Sequence, residues 1–124
     1  MRVLLDTHLL LWALANPRKL TSKTRRRIES SDVFVSAASI WEIAIKSGLG
    51  KLRADPAQVL SGIEPAGFDH LHISAAHAAE VWKLPHLHKD PFDRLLAAQA
   101  SVERMILLTD DDALGGYGDF IEVV

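Results

Sequence analysis

Apolar residues along this chain fall into two kinds of block. Val3-Leu4-Leu5, Val33-Phe34-Val35 and Met105-Ile106-Leu107-Leu108 are short continuous apolar runs. Runs without polar alternation suit strands buried on both faces. Phe68 to Ile73 and Phe120 to Val124 read as further strands, the last one closing the chain. Between them lie segments with helical spacing and recognisable starts and stops. These predict helices over His8 to Ala15, stopped by Asn16-Pro17, and from Thr21 or Ser22 to about Glu29. A third runs from Ser36 to about Ser47 and is closed by Gly48. Pro56 to about Ile63 follows, capped by Asp55, and then a helix capped by Ser74 that runs to about Leu84 before Pro85. The last spans Pro91 to about Glu103, and Leu114 to Gly118 reads as a turn.

Strands that are apolar throughout and alternate with helices predict an α/β fold: a parallel sheet of four to five strands with helices on both faces. No repeat, low-complexity segment or linker interrupts the pattern, so one domain over residues 1–124 is expected. Met1-Arg2 and the apolar run ending Ala13-Leu14-Ala15 superficially resemble a signal peptide. Asp6 and His8 interrupt that run and a lone Arg is a weak leader, so it reads as a buried strand and a helix. No stretch is long and apolar enough to span a membrane, and a cytoplasmic protein is expected.

Composition narrows the chemistry. Hydrophobic residues make up 48% of the 124 positions, enough for a proper core. A net charge of −2 does not predict a bulk nucleic-acid coat, although it leaves room for a local basic groove. The absence of cysteine excludes a disulfide frame, a thiolate zinc site and a Cys nucleophile, and fits a reducing compartment.

What stands out is the placement of acids. In parallel sheets ligands bind at the carboxyl ends of the strands. Asp6 follows the first strand, and Asp110-Asp111-Asp112 follow the strand ending at Leu108. The helix from Pro91 starts at the same edge and carries Asp93 in its first turn. Glu42 lies about two turns into the helix leaving the second strand, flanked by Ile40, Trp41, Ile43, Ala44 and Ile45. Each acid has an ordinary explanation. Asp6 could cap a helix, Glu42 could pair with Lys46 one turn on, and Asp90 before Pro91 is a standard helix cap. Any of Asp110, Asp111 and Asp112 could belong to a solvated turn. Four segments delivering acids to one edge make a shared site the better reading. Converging carboxylates repel unless protonated or bound to cations. All-oxygen ligands suit Mg²⁺ or Mn²⁺, and such ions assist hydrolysis of phosphate esters.

Alternative phosphate chemistries fit less well. A haloacid-type phosphatase needs a second Asp two residues after the first, and that position is His8. A phosphoacceptor receiver needs paired acids after the first strand and a late Lys, and neither is evident. A binding module whose acids only cap helices is the non-enzymatic alternative.

With these residues in view, the chain resembles the PIN-domain family, and within it the VapC-like ribonuclease toxins of toxin–antitoxin pairs. The matching stretches are Leu4-Leu5-Asp6-Thr7-His8, Val35 through Lys46, His88 through Ala100, and Leu107-Leu108-Thr109-Asp110-Asp111. The resemblance implies a divalent-metal endoribonuclease using Mg²⁺ or Mn²⁺, a cognate VapB-like antitoxin, and a homodimer. By motif position it matches Asp6, Glu42 and Asp93 to the first three acids of a metal-binding, catalytic quartet. Its Thr-x-Asp pattern selects Asp111 over Asp110 as the fourth. It places Ser36 and Thr109 as hydroxyls near the metal and leaves Asp90 as a cap. Arg94 is expected either at an RNA phosphate or in a salt bridge to Asp90. The run of three acids at 110–112 departs from the family's usual single acid.

Other features have simpler expectations. Lys23, Arg25, Arg26 and Arg27 could touch RNA backbone, but read better as a solvated helix face or part of an antitoxin contact. His86-x-His88 is a weak transition-metal pattern. Trp12 and Trp82 fit helical core positions. Apolar surface at Leu10, Leu11, Leu14 and Ile28 is expected to need cover from a partner.

Overall fold

The computed structural model describes residues 1–124. Five strands form one sheet: β1 (Arg2–Leu5), β2 (Asp32–Ser36), β3 (Asp69–Leu71), β4 (Ile106–Thr109) and β5 (Ile121–Val123). Their spatial order is β3-β2-β1-β4-β5, and every neighbouring pair is parallel. The helices are α1 (Thr7–Ala15), α2 (Ser22–Glu29), α3 (Ala37–Gly48), α4 (Pro56–Ile63), α5 (Ala75–Glu80) and α6 (Pro91–Glu103). None is long and apolar enough to cross a membrane.

The apolar runs behave as their composition requires. Successive side chains of a strand point to opposite faces, and both faces here are covered. Val3 and Leu5 of β1 join Val33, Val35 and Leu108 in one core with Leu9 and Leu10 of α1, Ile28 of α2 and Val59 and Ile63 of α4. Leu4 and Leu107 face the other way, into a second core with Leu96, Ala97 and Ala100 of α6. The central strand β1 is buried over Val3, Leu4 and Leu5. On either side of it the chain winds in opposite directions, to β2 and β3 on one flank and to β4 and β5 on the other. Such a reversal opens a crevice at the carboxyl ends of the strands.

Several elements differ from expectation in instructive ways. The strand read over Phe68 to Ile73 pairs only over Asp69–Leu71, because β3 is an edge strand with β2 as its sole neighbour. Ser36 belongs to β2 and caps α3, accepting the Ala38 N–H at 2.9 Å. The helix expected to reach Leu84 stops at Glu80 and tightens into a 3-10 turn over Val81–Lys83. That change of pitch removes Trp82 from the core. It is 91% exposed, which corrects its assignment to a buried helical position. Leu10 and Ile28 are buried in the monomer, while Leu11 and Leu14 are only partly covered. Arg27 pairs with Glu122 at 3.0 Å, tying α2 to β5.

One polar seam runs through the second core. Gln99 is fully buried on the apolar face of α6. It accepts from Ser36 Oγ and donates to the His72 carbonyl at 3.4 Å. His77 accepts the Ser74 N–H on Nδ1, so its Nε2–H donates to Glu103 at 2.7 Å. Paired in this way, the seam fixes α5 against α6 without an orphaned polar group.

Candidate active site

At the carboxyl edge of β1, β2 and β4 lies a cleft of about 240 Å³ whose ten lining residues include no apolar side chain. Six carry carboxyls: Asp6, Glu42, Asp90, Asp93, Asp110 and Asp111. Thr7, His8, Lys46 and His88 complete the wall.

Asp6 is the residue on which β1 ends and α1 begins. As the helix cap it accepts the Leu9 N–H on Oδ1 at 2.8 Å. Its Oδ2 accepts the Thr109 hydroxyl at 2.6 Å and the Asp110 N–H at 3.4 Å. Those donors favour the carboxylate. Burial outweighs them and pushes its pKa up to about 6, with Asp110 adding repulsion. Asp6 thus caps a helix and faces the cleft at once, since each oxygen serves a different partner.

Glu42 reaches the cleft from the middle of α3 and is only 6% exposed. Thr7 Oγ1 donates to its Oε1 at 2.6 Å, and Ser39 Oγ stands 3.0 Å from the same hydroxyl. Its other oxygen pairs with Lys46, one turn on. The hydrogen bond to Glu42 raises the Lys46 pKa, and the charges of Glu42, Asp90 and Asp93 add to it. The Glu42–Lys46 pair therefore exists, but as part of the cleft wall and not as a solvated surface pair.

Asp93 stands in the first turn of α6, behind the cap that Asp90 provides. Asp90 Oδ1 accepts the Phe92 and Asp93 N–H groups at 2.8 and 3.1 Å. The Asp93 pKa is pushed up to about 7, first by burial and then by the charges of Asp90, Glu42 and Asp6, with His88 opposing. Asp111 behaves in the opposite way. It is half exposed, caps the 3-10 turn Asp112–Tyr117 through the Ala113 N–H at 2.9 Å, and accepts from His88 at 2.9 Å. The Ala113 bond and then the His88 bond hold its carboxyl below the usual range.

Among the three acids of the 110–112 run, Asp110 and Asp111 line the cleft and Asp112 is exposed outside it. Thr109 is fully buried beneath them, donating to Asp6 and accepting the Asp111 N–H at 3.0 Å. Ser36 does not reach the cleft; its hydroxyl is spent on the α3 cap and on Gln99. Arg94 turns away as well. It donates to the carbonyls of Val81, Leu84 and Pro85 and to the Tyr117 hydroxyl at 2.9–3.5 Å, and makes no ion pair with Asp90. Both expected roles for Arg94 are replaced by that of a clamp on the segment before α6.

Three side chains of the cleft, Thr7, His8 and His88, carry no site role in the sequence pattern. Thr7 follows Asp6 at the first position of α1, and its hydroxyl fixes Glu42. His88, weighed only as half of a His-x-His pair, lies 3.1 Å from Asp93 and 2.9 Å from Asp111, while His86 is exposed elsewhere. The useful signal was position: two residues before the cap of a helix that starts at the acidic edge.

The donor set fits a hard divalent cation. Ligand atoms of His88, Asp93 and Asp111 lie within 4.8 Å of one another. Lys46 is the only lysine or arginine facing six carboxyls, and two of those carboxyls are costly to ionise without a counter-charge. Oxygen donors at this density suit Mg²⁺ or Mn²⁺.

A doubly wound parallel sheet with an acidic, cation-fitting crevice at its switch point defines the class. The chain matches the PIN domain family over residues 3–118 and belongs to that family. It is similar in fold to VapBC2 from Rickettsia felis bound to a promoter DNA fragment, with a TM-score of 0.71 at 16% identity over 100% of this chain and 98% of that one. DNA-bound VapBC from Salmonella typhimurium aligns with a TM-score of 0.68 at 17% identity, over 100% and 97% of the two chains. A toxin–antitoxin complex from Klebsiella pneumoniae gives 0.66 at 16% identity over 98% and 96%. The sequence has no match among curated proteins.

Proposed function

We propose that this chain is a Mg²⁺- or Mn²⁺-dependent endoribonuclease, acting as the toxin of a toxin–antitoxin pair. The observation that carries the reading is the convergence of Asp6, Glu42, Asp93 and Asp111, from four separate segments, on one cleft without apolar lining. Membership of the PIN family and the fold shared with VapBC complexes support it. Asp6, Glu42, Asp93 and Asp111 would hold the cation. When bound, a divalent ion supplies Lewis-acid charge to a phosphate and lowers the pKa of water. The chain's own groups set the geometry. Thr109 and the Leu9 N–H orient Asp6, and Thr7 orients Glu42. Lys46 offers its ammonium to a phosphate oxygen. Attack of water on phosphorus in line with the departing 3′-oxygen leaves 5′-phosphate and 3′-hydroxyl ends.

A domain that only caps helices with its acids is the second reading, and Asp6, Asp90 and Asp111 do cap helical segments. Glu42 and Asp93 cap nothing yet face the same cleft, which favours the nuclease.

For partners, we propose a VapB-like antitoxin and a second copy of this chain, each with its own surface. A groove of about 890 Å³ between α1 and α4, lined by Leu11, Trp12, Leu14, Leu52 and Val59, has the concave apolar shape that takes an amphipathic helix. Trp41 and Ile45 of α3 and Leu49 at its C-cap form an exposed apolar stripe that a second copy could cover. We propose one domain over residues 1–124 in the cytoplasm.

The test is cleavage of a mixed RNA pool by purified protein with Mg²⁺ or Mn²⁺, with EDTA, and with Asp93→Asn. Metal-dependent cleavage lost in the variant, with 5′-phosphate ends, supports the reading. No cleavage together with no Mn²⁺ binding in calorimetry would assign the acids to capping alone.

A further inference from the structure

His88 lies in an irregular segment between the 3-10 turn at Val81–Lys83 and α6, yet its ring is held at both nitrogens. Nδ1 accepts the Asp90 N–H at 3.2 Å. In the neutral ring the proton is therefore on Nε2. That Nε2–H donates to Asp111 Oδ2 at 2.9 Å, and Nε2 lies 3.1 Å from Asp93 Oδ2. The two acids come from different places: Asp93 from the start of α6 and Asp111 from the turn after β4. No other side chain pairs with both acids. The segment itself is fastened from below, because Arg94 gathers the carbonyls of Val81, Leu84 and Pro85.

We propose that His88 is a positioning residue of the cation site: its Nε2–H, hydrogen-bonded to Asp111 and seated against Asp93, holds these two carboxylates at the spacing one divalent ion needs. The inference rests on the nuclease reading of the cleft. Without this contact the two carboxylates would repel, and Asp111, half exposed, would be held by the Ala113 N–H alone. With it, Asp111 Oδ2 keeps a lone pair free beside the one that accepts the imidazole proton, and Asp93 Oδ2 keeps its own. Direct ligation by Nε2 is disfavoured by the same geometry. It would require the proton to move to Nδ1, where the Asp90 N–H already points. Partners that orient ligating groups in this way are commonly worth about 10- to 100-fold in metal affinity.

The experiment is Mn²⁺ titration by calorimetry of the wild-type chain, His88→Ala and His88→Gln, with circular dichroism and thermal midpoints as folding controls. Electron spin echo spectra of the Mn²⁺ complexes accompany it. His88→Ala is expected to bind Mn²⁺ about 10-fold more weakly. His88→Gln, whose amide N–H reaches the same place, is expected to recover most of that loss. No ¹⁴N-imidazole coupling is expected from this ring. Equal affinity in wild type and both variants would overturn the proposal. So would an imidazole coupling present in wild type and lost in His88→Gln, which would make His88 a ligand. A wild-type chain that binds no Mn²⁺ would overturn the reading of the cleft itself and this inference with it.

Discussion

Asp93 carries opposed demands. It must be ionised to hold a cation, yet its place between α3 and α6 favours the neutral acid, and its pKa stands at about 7. Asp6 is raised to about 6 from an ordinary value of 3.8. In the unfolded chain both ionise near 3.8. Between that pH and the raised values the folded chain holds more protons than the unfolded one, so metal-free stability falls as pH rises through this window. Asp93→Asn removes the ionisable group and should raise the metal-free thermal midpoint at pH 8 by roughly 3–5 °C, at about 1 kcal/mol. The same variant should lose the midpoint increase that Mn²⁺ gives the wild type. A calorimetric scan of both proteins with and without Mn²⁺ checks the two signs; a lower metal-free midpoint in the variant would refute the account. Thr109 works in the other direction, since its hydroxyl lowers the Asp6 pKa. Thr109→Val should move the acid limb of Mn²⁺ binding to higher pH and cost about 1–3 kcal/mol, because it removes the buried donor to Asp6 and leaves the part-buried Asp111 N–H without its acceptor. A pH series of Mn²⁺ titrations alongside denaturant unfolding measures both effects.

The start of α6 shows how much an element can reveal. Asp90, Pro91 and Asp93 were legible as a cap, a first helical residue and an acid in the first turn, and the structure has that arrangement. The continuous runs at β1, β2 and β4 were legible for the same reason: burial on both faces leaves no polar alternation. What sequence could not supply was the aim of long side chains. Arg94 stands next to Asp93 in the chain, but one residue along a helix turns a side chain by 100°, and its fork meets carbonyls of the preceding segment. Trp82 obeyed a helical period that a 3-10 turn then broke. His88 was hidden because its role depends on Asp111, brought next to it only by the closing of the sheet. Asp90 itself separates two functions that the sequence merges. As a cap it stabilises α6, and as a charge it raises the Asp93 pKa. Asp90→Asn keeps the cap and removes the charge; because Mn²⁺ displacing the Asp93 proton still brings one net positive charge into the cleft, Mn²⁺ binding at pH 6 should weaken with little change in stability. Asp90→Ala loses the cap too and should cost about 1 kcal/mol. If both variants bind Mn²⁺ as wild type does at pH 6, the charge of Asp90 is not part of the cleft's electrostatics.

At the scale of the whole molecule, core and cleft occupy different ends of the same strands. The runs of β1 and β4 are anchored in two apolar layers, while the residues just beyond them carry the acids. Charge repulsion in the cleft is therefore borne by a scaffold whose stability comes from elsewhere. The same separation applies to the outer surfaces. Trp41, Ile45 and Leu49 are 56%, 37% and 65% exposed and lie one turn apart along α3. Glu42 and Ile43 of the same helix point inward, to the cleft and the first core. A second copy seated on this stripe would abut the helix that carries Glu42 without entering the cleft. Trp41 already leans edge-on against Phe92 of α6, with ring centroids 5.1 Å apart, so the stripe continues onto the helix that carries Asp93. Ile45→Arg places a charge at the centre of the stripe and disturbs no core contact. It should convert a dimer to a monomer in sedimentation at micromolar concentration, while the intrinsic stability of the fold moves by no more than about 0.5 kcal/mol. Wild-type protein that sediments as a monomer would remove the stripe from consideration as a self-contact. A variant that stays dimeric would place the interface on another face.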